Sequence, residues 1–161
     1  LKKYEELLRQ YWTRGGPVWD GMAVVEGEGG NKGLILVEAK AHINETYSQM
    51  KSSSGKSKSL IKRTIQETQI AFDSTSIIDP WVNQYYQLAN RLSFLYILNE
   101  KLNIPTWLVL CNFVDDRSYK PTQLKEWLQH YKIVFRKLGI DPNRILMNKV
   151  ISIYVQGINS N

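Results

Sequence analysis

Residues 17–40, PVWDGMAVVEGEGGNKGLILVEAK, constrain this chain more than any other stretch. Val18 to Val25 is an apolar run, and Glu26 to Gly33 is a glycine-rich turn. Gly33 to Val37 is a second apolar run, which ends in Glu38-Ala39-Lys40. Two β-rich runs joined by Gly and Asn predict a β-hairpin. Side chains alternate along a strand, so Glu38 and Lys40 share a face. A hairpin sets the start of its first strand beside the end of its second. Asp20 is therefore expected next to Glu38 and Lys40, although residues 21 to 37 intervene. Two carboxylates and an ammonium at one sheet edge suit a hard cation with a positive neighbour.

With 161 residues the chain can bury a core of its own. The expectation is one domain over residues 1–161, whole or a piece of a longer protein, since the first residue is Leu1 and not Met. No apolar run is as long as a membrane span, and the start is not signal-like. A cytoplasmic setting without a membrane partner is expected. Cys111 is the only cysteine, so no internal disulfide can form. It lies in the apolar run Trp107 to Val114 and reads as a buried core thiol. With two histidines, His42 and His130, a His-rich zinc site is not expected. The net charge of +6 favours polyanions such as nucleic acid.

Leu1 to Trp12 reads as a helix, with Leu1, Tyr4, Leu7, Leu8 and Tyr11 on one face, stopped by Gly15-Gly16-Pro17. Ser48 to Ser59 is polar, serine-rich and carries Lys51, Lys56 and Lys58, which predicts a mobile loop. Leu60 to Phe72 reads as a helix, and Pro80 to about Leu102 as the central helix packed on the sheet. Ile104 to Val114 is a strand whose continuous apolar character predicts burial on both faces. Pro121 to Leu138 is an amphipathic helix ended by Gly139, and Ile145 to Val155 is a final strand. The order predicts an α/β or α+β domain, a mixed β-sheet flanked by helices.

Several local patterns fail their structural tests. Gly27 to Gly33 has no following helix, so it is a hairpin tip and not a phosphate cradle. Gly55-Lys56-Ser57 lacks the glycine that a nucleotide-binding loop needs at position 50, which is Met50. Asp115-Asp116 follows a strand and reads as a turn. His42 lies two beyond Lys40 and would share its face if the strand continued; Glu45 follows it. Lys56, Lys58, Lys62 and Arg63 form a basic segment suited to a phosphate backbone or, equally, to a solvated surface. Gln87 and Arg91, one turn apart on the central helix, are candidates to orient a phosphate or Lys40, as well as an ordinary surface pair.

Pro17-Val18-Trp19-Asp20 followed by Glu38-Ala39-Lys40 at a strand end resembles the PD-(D/E)XK superfamily of restriction-endonuclease-like nucleases. An acidic residue, any residue, then Lys is expected roughly once in a chain of average composition. Here it occurs once, opposite a strand-borne Asp, and that context carries the resemblance. Val18-Trp19 separate Pro17 from Asp20, and only Thr13 to Gly16 stand where the family has a further strand. The motif covers the first 40 residues; beyond it only the element order agrees.

The resemblance implies a restriction-endonuclease-like core and hydrolysis of phosphodiesters, DNA before RNA. It implies Asp20, Glu38 and Lys40 as catalytic residues. Mg²⁺, with Mn²⁺ as substitute, would be held by Asp20, Glu38 and the Ala39 carbonyl. The family often adds an acid from the first helix, and Glu5 fits best because it lies beside the apolar stripe. Nucleic acid would be met by Lys56, Lys58, Lys62, Arg63, Gln87 and Arg91. The alternatives are an inactive nucleic-acid-binding module of the same fold, and an unrelated α/β interaction domain.

Overall fold

The computed structural model of the protein describes residues 2–51, 54–117 and 120–157. The hairpin forms as the sequence predicts. Strand β1, Gly21–Glu26, pairs antiparallel with β2, Lys32–Lys40, from Gly21 opposite Val37 to Glu26 opposite Lys32. Its tip is a 3₁₀ turn, Glu28–Gly30, in which Gly29 and Gly30 hold φ of 79° and 77°. That left-handed region strains any residue with a Cβ. Strand β3, Thr106–Val114, runs parallel to β2, and β4, Val150–Gln156, runs parallel to β3. The strand order is β1-β2-β3-β4, a mixed four-stranded sheet.

Parallel neighbours require long crossovers, which the helices supply. Helix α1 is Lys2–Leu8; α2, Gly55–Ala71, α3, Asp79–Asn83, and α4, Tyr86–Tyr96, lie between β2 and β3; α5, Leu124–Lys137, lies between β3 and β4. Together they make a mixed α/β fold. In β3 the residues Thr106, Leu108, Leu110, Asn112 and Val114 are buried, while those between them are half-buried. The buried face meets the helices, as Arg91 of α4 reaches Glu38 and Tyr131 of α5 reaches Asn112. Between sheet and helices lies one core that includes Ile65, Trp81, Leu92, Leu95, Leu108 and Trp127.

The apolar run of β3 is therefore buried on one face only, a correction to the two-sided burial expected. Cys111 is half-buried on the other face and not in the core. Strict alternation with Leu110 and Asn112 puts it there. On the same face of β4, Ile151, Ile153 and Val155 are each about two-fifths exposed, at 42%, 41% and 40%.

Several boundaries shift. The first helix ends at Leu8, and a tighter turn carries the chain to Trp12; Leu1 lies outside the described residues. The serine-rich stretch is helical from Gly55, because Ser54 caps α2 by accepting the Ser57 N–H; residues 52 and 53 lie outside the description. The long central helix is broken at Gln84 and Tyr85. Segment 48–50 intervenes there, with Ser48 N–H donating to Gln84 O and Tyr86 N–H to Ser48 O. The last strand begins at Val150, after a 3₁₀ turn over Ile145–Lys149. Gly139 ends the helical turn after α5 at φ 64°, where an added Cβ would meet the Ser76 amide at 2.4 Å.

Candidate active site

Asp20 stands one step beyond the Gly21–Val37 pair, across from Glu38. Its backbone N–H donates to the Val37 carbonyl at 3.1 Å, and its carboxylate Oδ2 accepts the Ala39 N–H at 2.8 Å. The exposed Asp20 side chain is thus held on the backbone of Ala39, the residue between Glu38 and Lys40.

Glu38 is only 4% exposed. A buried carboxylate is costly unless it is paired and hydrogen-bonded. The Lys40 ammonium donates to its Oε1 and also to the Ala39 carbonyl. Arg91, likewise 4% exposed, donates through Nε to Oε2 at 2.6 Å. The Arg91 Nη2 lies 2.6 Å from the same oxygen and donates to the Val18 carbonyl at 2.9 Å. The Trp19 ring covers the guanidinium, 4.7 Å from its centre. The cluster joins the chain before β1, the end of β2, and α4.

The next strand adds neutral polar groups. Asn112 pairs in register with Lys40, and its Oδ1 accepts the Tyr131 hydroxyl at 2.9 Å. Burial first, then Tyr154 and Glu38, raise the Tyr131 pKa, which keeps its phenol neutral. Glu38, Lys40, Thr46, Gln87 and Tyr131 help line a cavity of about 20 Å³, room for one water. All of this lies towards the carboxyl ends of the parallel strands, where open α/β sheets bind ligands. A wider groove of about 620 Å³ runs between α1 and the hairpin, but it is apolar, with Tyr4, Trp19, Met22 and Phe94 among its walls.

The remaining predicted residues spread out. Glu5 is exposed and pairs with Arg9, just past the end of its helix, at 2.5 Å. Lys56, Lys58 and Lys62 are exposed on α2, whereas Arg63 donates to the Gln10 carbonyl at 2.6 Å and so ties α2 to the chain after α1. Arg91 faces Glu38 rather than solvent. His42 lies beyond the end of β2, so it does not continue the strand face; it pairs with Glu45 at 3.2 Å. Sequence reasoning passed over Trp19, Val18 and Asn112. Adjacency to Asp20 marked the first two, and nothing in the sequence marked Asn112.

The donors a cation could meet here are oxygen only: two carboxylates and the Ala39 carbonyl, the Glu38 carboxylate and that carbonyl already accepting from Lys40. Hard oxygen donors suit Mg²⁺ or Mn²⁺. A carboxylate has about four acceptor directions, so Asp20 keeps capacity beyond the Ala39 amide. Among the described residues no three or more His, Cys, Asp or Glu side chains form a metal cluster. Two carboxylates are what Mg²⁺ commonly takes when waters and substrate phosphates complete its shell. Comparison with known proteins gives no match to any family model, curated protein or solved structure.

Proposed function

We propose that this chain is a metal-dependent nuclease of the PD-(D/E)XK type that hydrolyses phosphodiester bonds, in DNA before RNA. The observation that carries the reading is the hairpin register, which sets Asp20 across from Glu38 with the Lys40 ammonium on the Glu38 carboxylate. In this reading the sheet is a restriction-endonuclease-like core. Its support is the order of an antiparallel hairpin followed by parallel strands, with Asp20 across from Glu38. It departs from that core in having no strand between α1 and β1 among the described residues.

Asp20, Glu38 and the Ala39 carbonyl would hold Mg²⁺. Once bound, the ion would supply a Lewis acid for the phosphate and a water of lowered pKa. Lys40 brings positive charge to the phosphate oxygens as negative charge develops on them, and orients the attacking water. Two carboxylates and two cations already balance in the site. A divalent ion therefore leaves it positive, and a substrate phosphate restores neutrality. Metal affinity should rise when nucleic acid is present. The exposed Lys56, Lys58 and Lys62 would meet the phosphate backbone.

A second reading has one observation in its favour. Lys40 and Arg91 occupy both Glu38 oxygens and satisfy the buried charge without a cation. That is also what an inactive nucleic-acid-binding module with the same fold would keep. A gel assay separates the two, using plasmid, linear duplex, single-stranded DNA and RNA with Mg²⁺ or Mn²⁺. Metal-dependent cleavage is expected; salt-sensitive binding with no cleavage under any metal would sink the nuclease reading.

A further inference from the structure

Arg91 touches both halves of the motif at once. Its Nε and Nη2 hold Glu38 Oε2, on the strand that ends in Lys40. The same Nη2 donates to the Val18 carbonyl, and Trp19 covers the guanidinium plane. Val18 and Trp19 belong to the segment that delivers Asp20. From this geometry we infer that Arg91 is a positioning residue: it staples segment 17–20 to the end of β2 and so sets how the Asp20 and Glu38 carboxylates face each other. It does not act as a phosphate ligand. The effect on metal rests on the nuclease reading; the effect on segment 17–20 does not.

The chemistry requires arginine at this position. A planar guanidinium presents several donors in a fixed fork and stacks on an aromatic ring. It can satisfy a carboxylate on one side, a carbonyl on another and an indole face on a third. An ammonium is a point charge on a flexible stem and holds one such partner well. Arg91→Lys therefore keeps the charge beside Glu38 and loses the staple. The inference also accounts for a buried arginine whose contacts beyond Glu38 are a backbone carbonyl and an indole ring.

Two readouts test it on the intact chain, for the parent, Arg91→Lys and Trp19→Leu. The first is hydrogen exchange of the peptide containing residues 17–21, without metal. The Asp20 amide donates to the Val37 carbonyl there, so release of the segment speeds its exchange. A tenfold or greater acceleration is expected in Arg91→Lys and a smaller one in Trp19→Leu, with exchange of α5 unchanged. The second is Mn²⁺ binding followed by electron paramagnetic resonance, beside filter binding of DNA in EDTA. Arg91→Lys should weaken Mn²⁺ binding tenfold or more and leave metal-free DNA binding within twofold. A folded Arg91→Lys with parental exchange over 17–21 overturns the inference. So does loss of metal-free DNA binding with parental exchange, which would make Arg91 a phosphate ligand. If Arg91→Lys does not fold, parental exchange in a folded Trp19→Leu overturns it instead. A parent that neither binds Mn²⁺ nor cleaves ends the nuclease reading, and the exchange measurement still decides Arg91.

Discussion

The Asp20 carboxylate accepts the Ala39 backbone N–H at 2.8 Å. One side chain therefore has two roles, closing the open end of the hairpin and presenting anionic oxygen. Asn at this position can still accept the same N–H through its amide oxygen. Asp20→Asn should keep the melting temperature within a few degrees and abolish Mg²⁺-dependent cleavage and Mn²⁺ binding. Asp20→Ala leaves the Ala39 amide to water and should cost about 0.5–1.5 kcal/mol in addition. Cleavage and melting curves on both variants check this. A well-folded Asp20→Asn that cleaves like the parent ends the catalytic assignment.

Lys40 and Arg91 share Glu38, so removing one cation does not strand the carboxylate. Lys40→Ala should cost less than the about 3–5 kcal/mol of an uncompensated buried charge, because Arg91 remains. It should lose most cleavage and keep Mn²⁺ affinity, or bind slightly tighter once a neighbouring positive charge is gone. Asp20→Asn and Lys40→Ala should thus look alike on a gel and opposite in a metal titration. Equal loss of metal binding in both would assign Lys40 a structural role only.

Lys56, Lys58 and Lys62 are exposed on the first half of α2, whereas Arg63 is engaged with Gln10. The clean test is the triple lysine-to-alanine variant, which leaves that tether intact. If each lysine meets one phosphate, the slope of log affinity against log salt should become shallower by roughly 2.7 on duplex DNA. An unchanged slope in filter binding removes α2 from the interface.

The hairpin, its register of Asp20 across from Glu38, and the pairing of Glu38 with Lys40 were legible because strand alternation and hairpin closure are local rules. Arg91 was legible only as a polar residue on an apolar helix. Its partner is 53 residues away, and no local rule links α4 to β2. The break at Gln84 and Tyr85 was hidden for the same reason: it depends on hydrogen bonds from Ser48, which periodicity within the helix does not register. The α2 start was misread because serine marks loops and helix caps alike, and here Ser54 is a cap. The apolar run of β3 suggested two buried faces. Hydrophobicity alone does not say how many layers cover a sheet.

That one-sided burial gives a direct comparison within β3 and β4. Leu110 is 2% exposed and faces the helices. Leu110→Ala should cost about 2–5 kcal/mol. Ile153 pairs with Cys111 on the half-open face and is 41% exposed. Ile153→Thr keeps the β-branched shape and should cost no more than about 1 kcal/mol. Urea unfolding of the two variants measures both. Comparable losses would mean that something covers the second face in solution.

His130 is 6% exposed, on the inner face of α5. Thr46 Oγ1 donates its proton to the Ile43 carbonyl at 2.7 Å, so the His130 Nε2–H must be the donor to Thr46 Oγ1 at 2.8 Å. The rings of Tyr47, Trp127 and Tyr131 surround the imidazole. Burial, then the Lys137 charge, lower its pKa below the ordinary 6.5. The folded state therefore resists protonation that the unfolded state accepts. Stability from this group is complete above pH 6.5 and falls as pH drops from there towards the folded pKa. The loss is at most about 1.4 kcal/mol per pH unit. His130→Gln can still donate to Thr46 and does not titrate. Its stability should depend less on pH between about 5 and 6.5 than the parent's. Urea unfolding at half-unit steps from pH 5 to 8 checks this, and parallel curves for parent and variant across the window would show that His130 is not the group responsible.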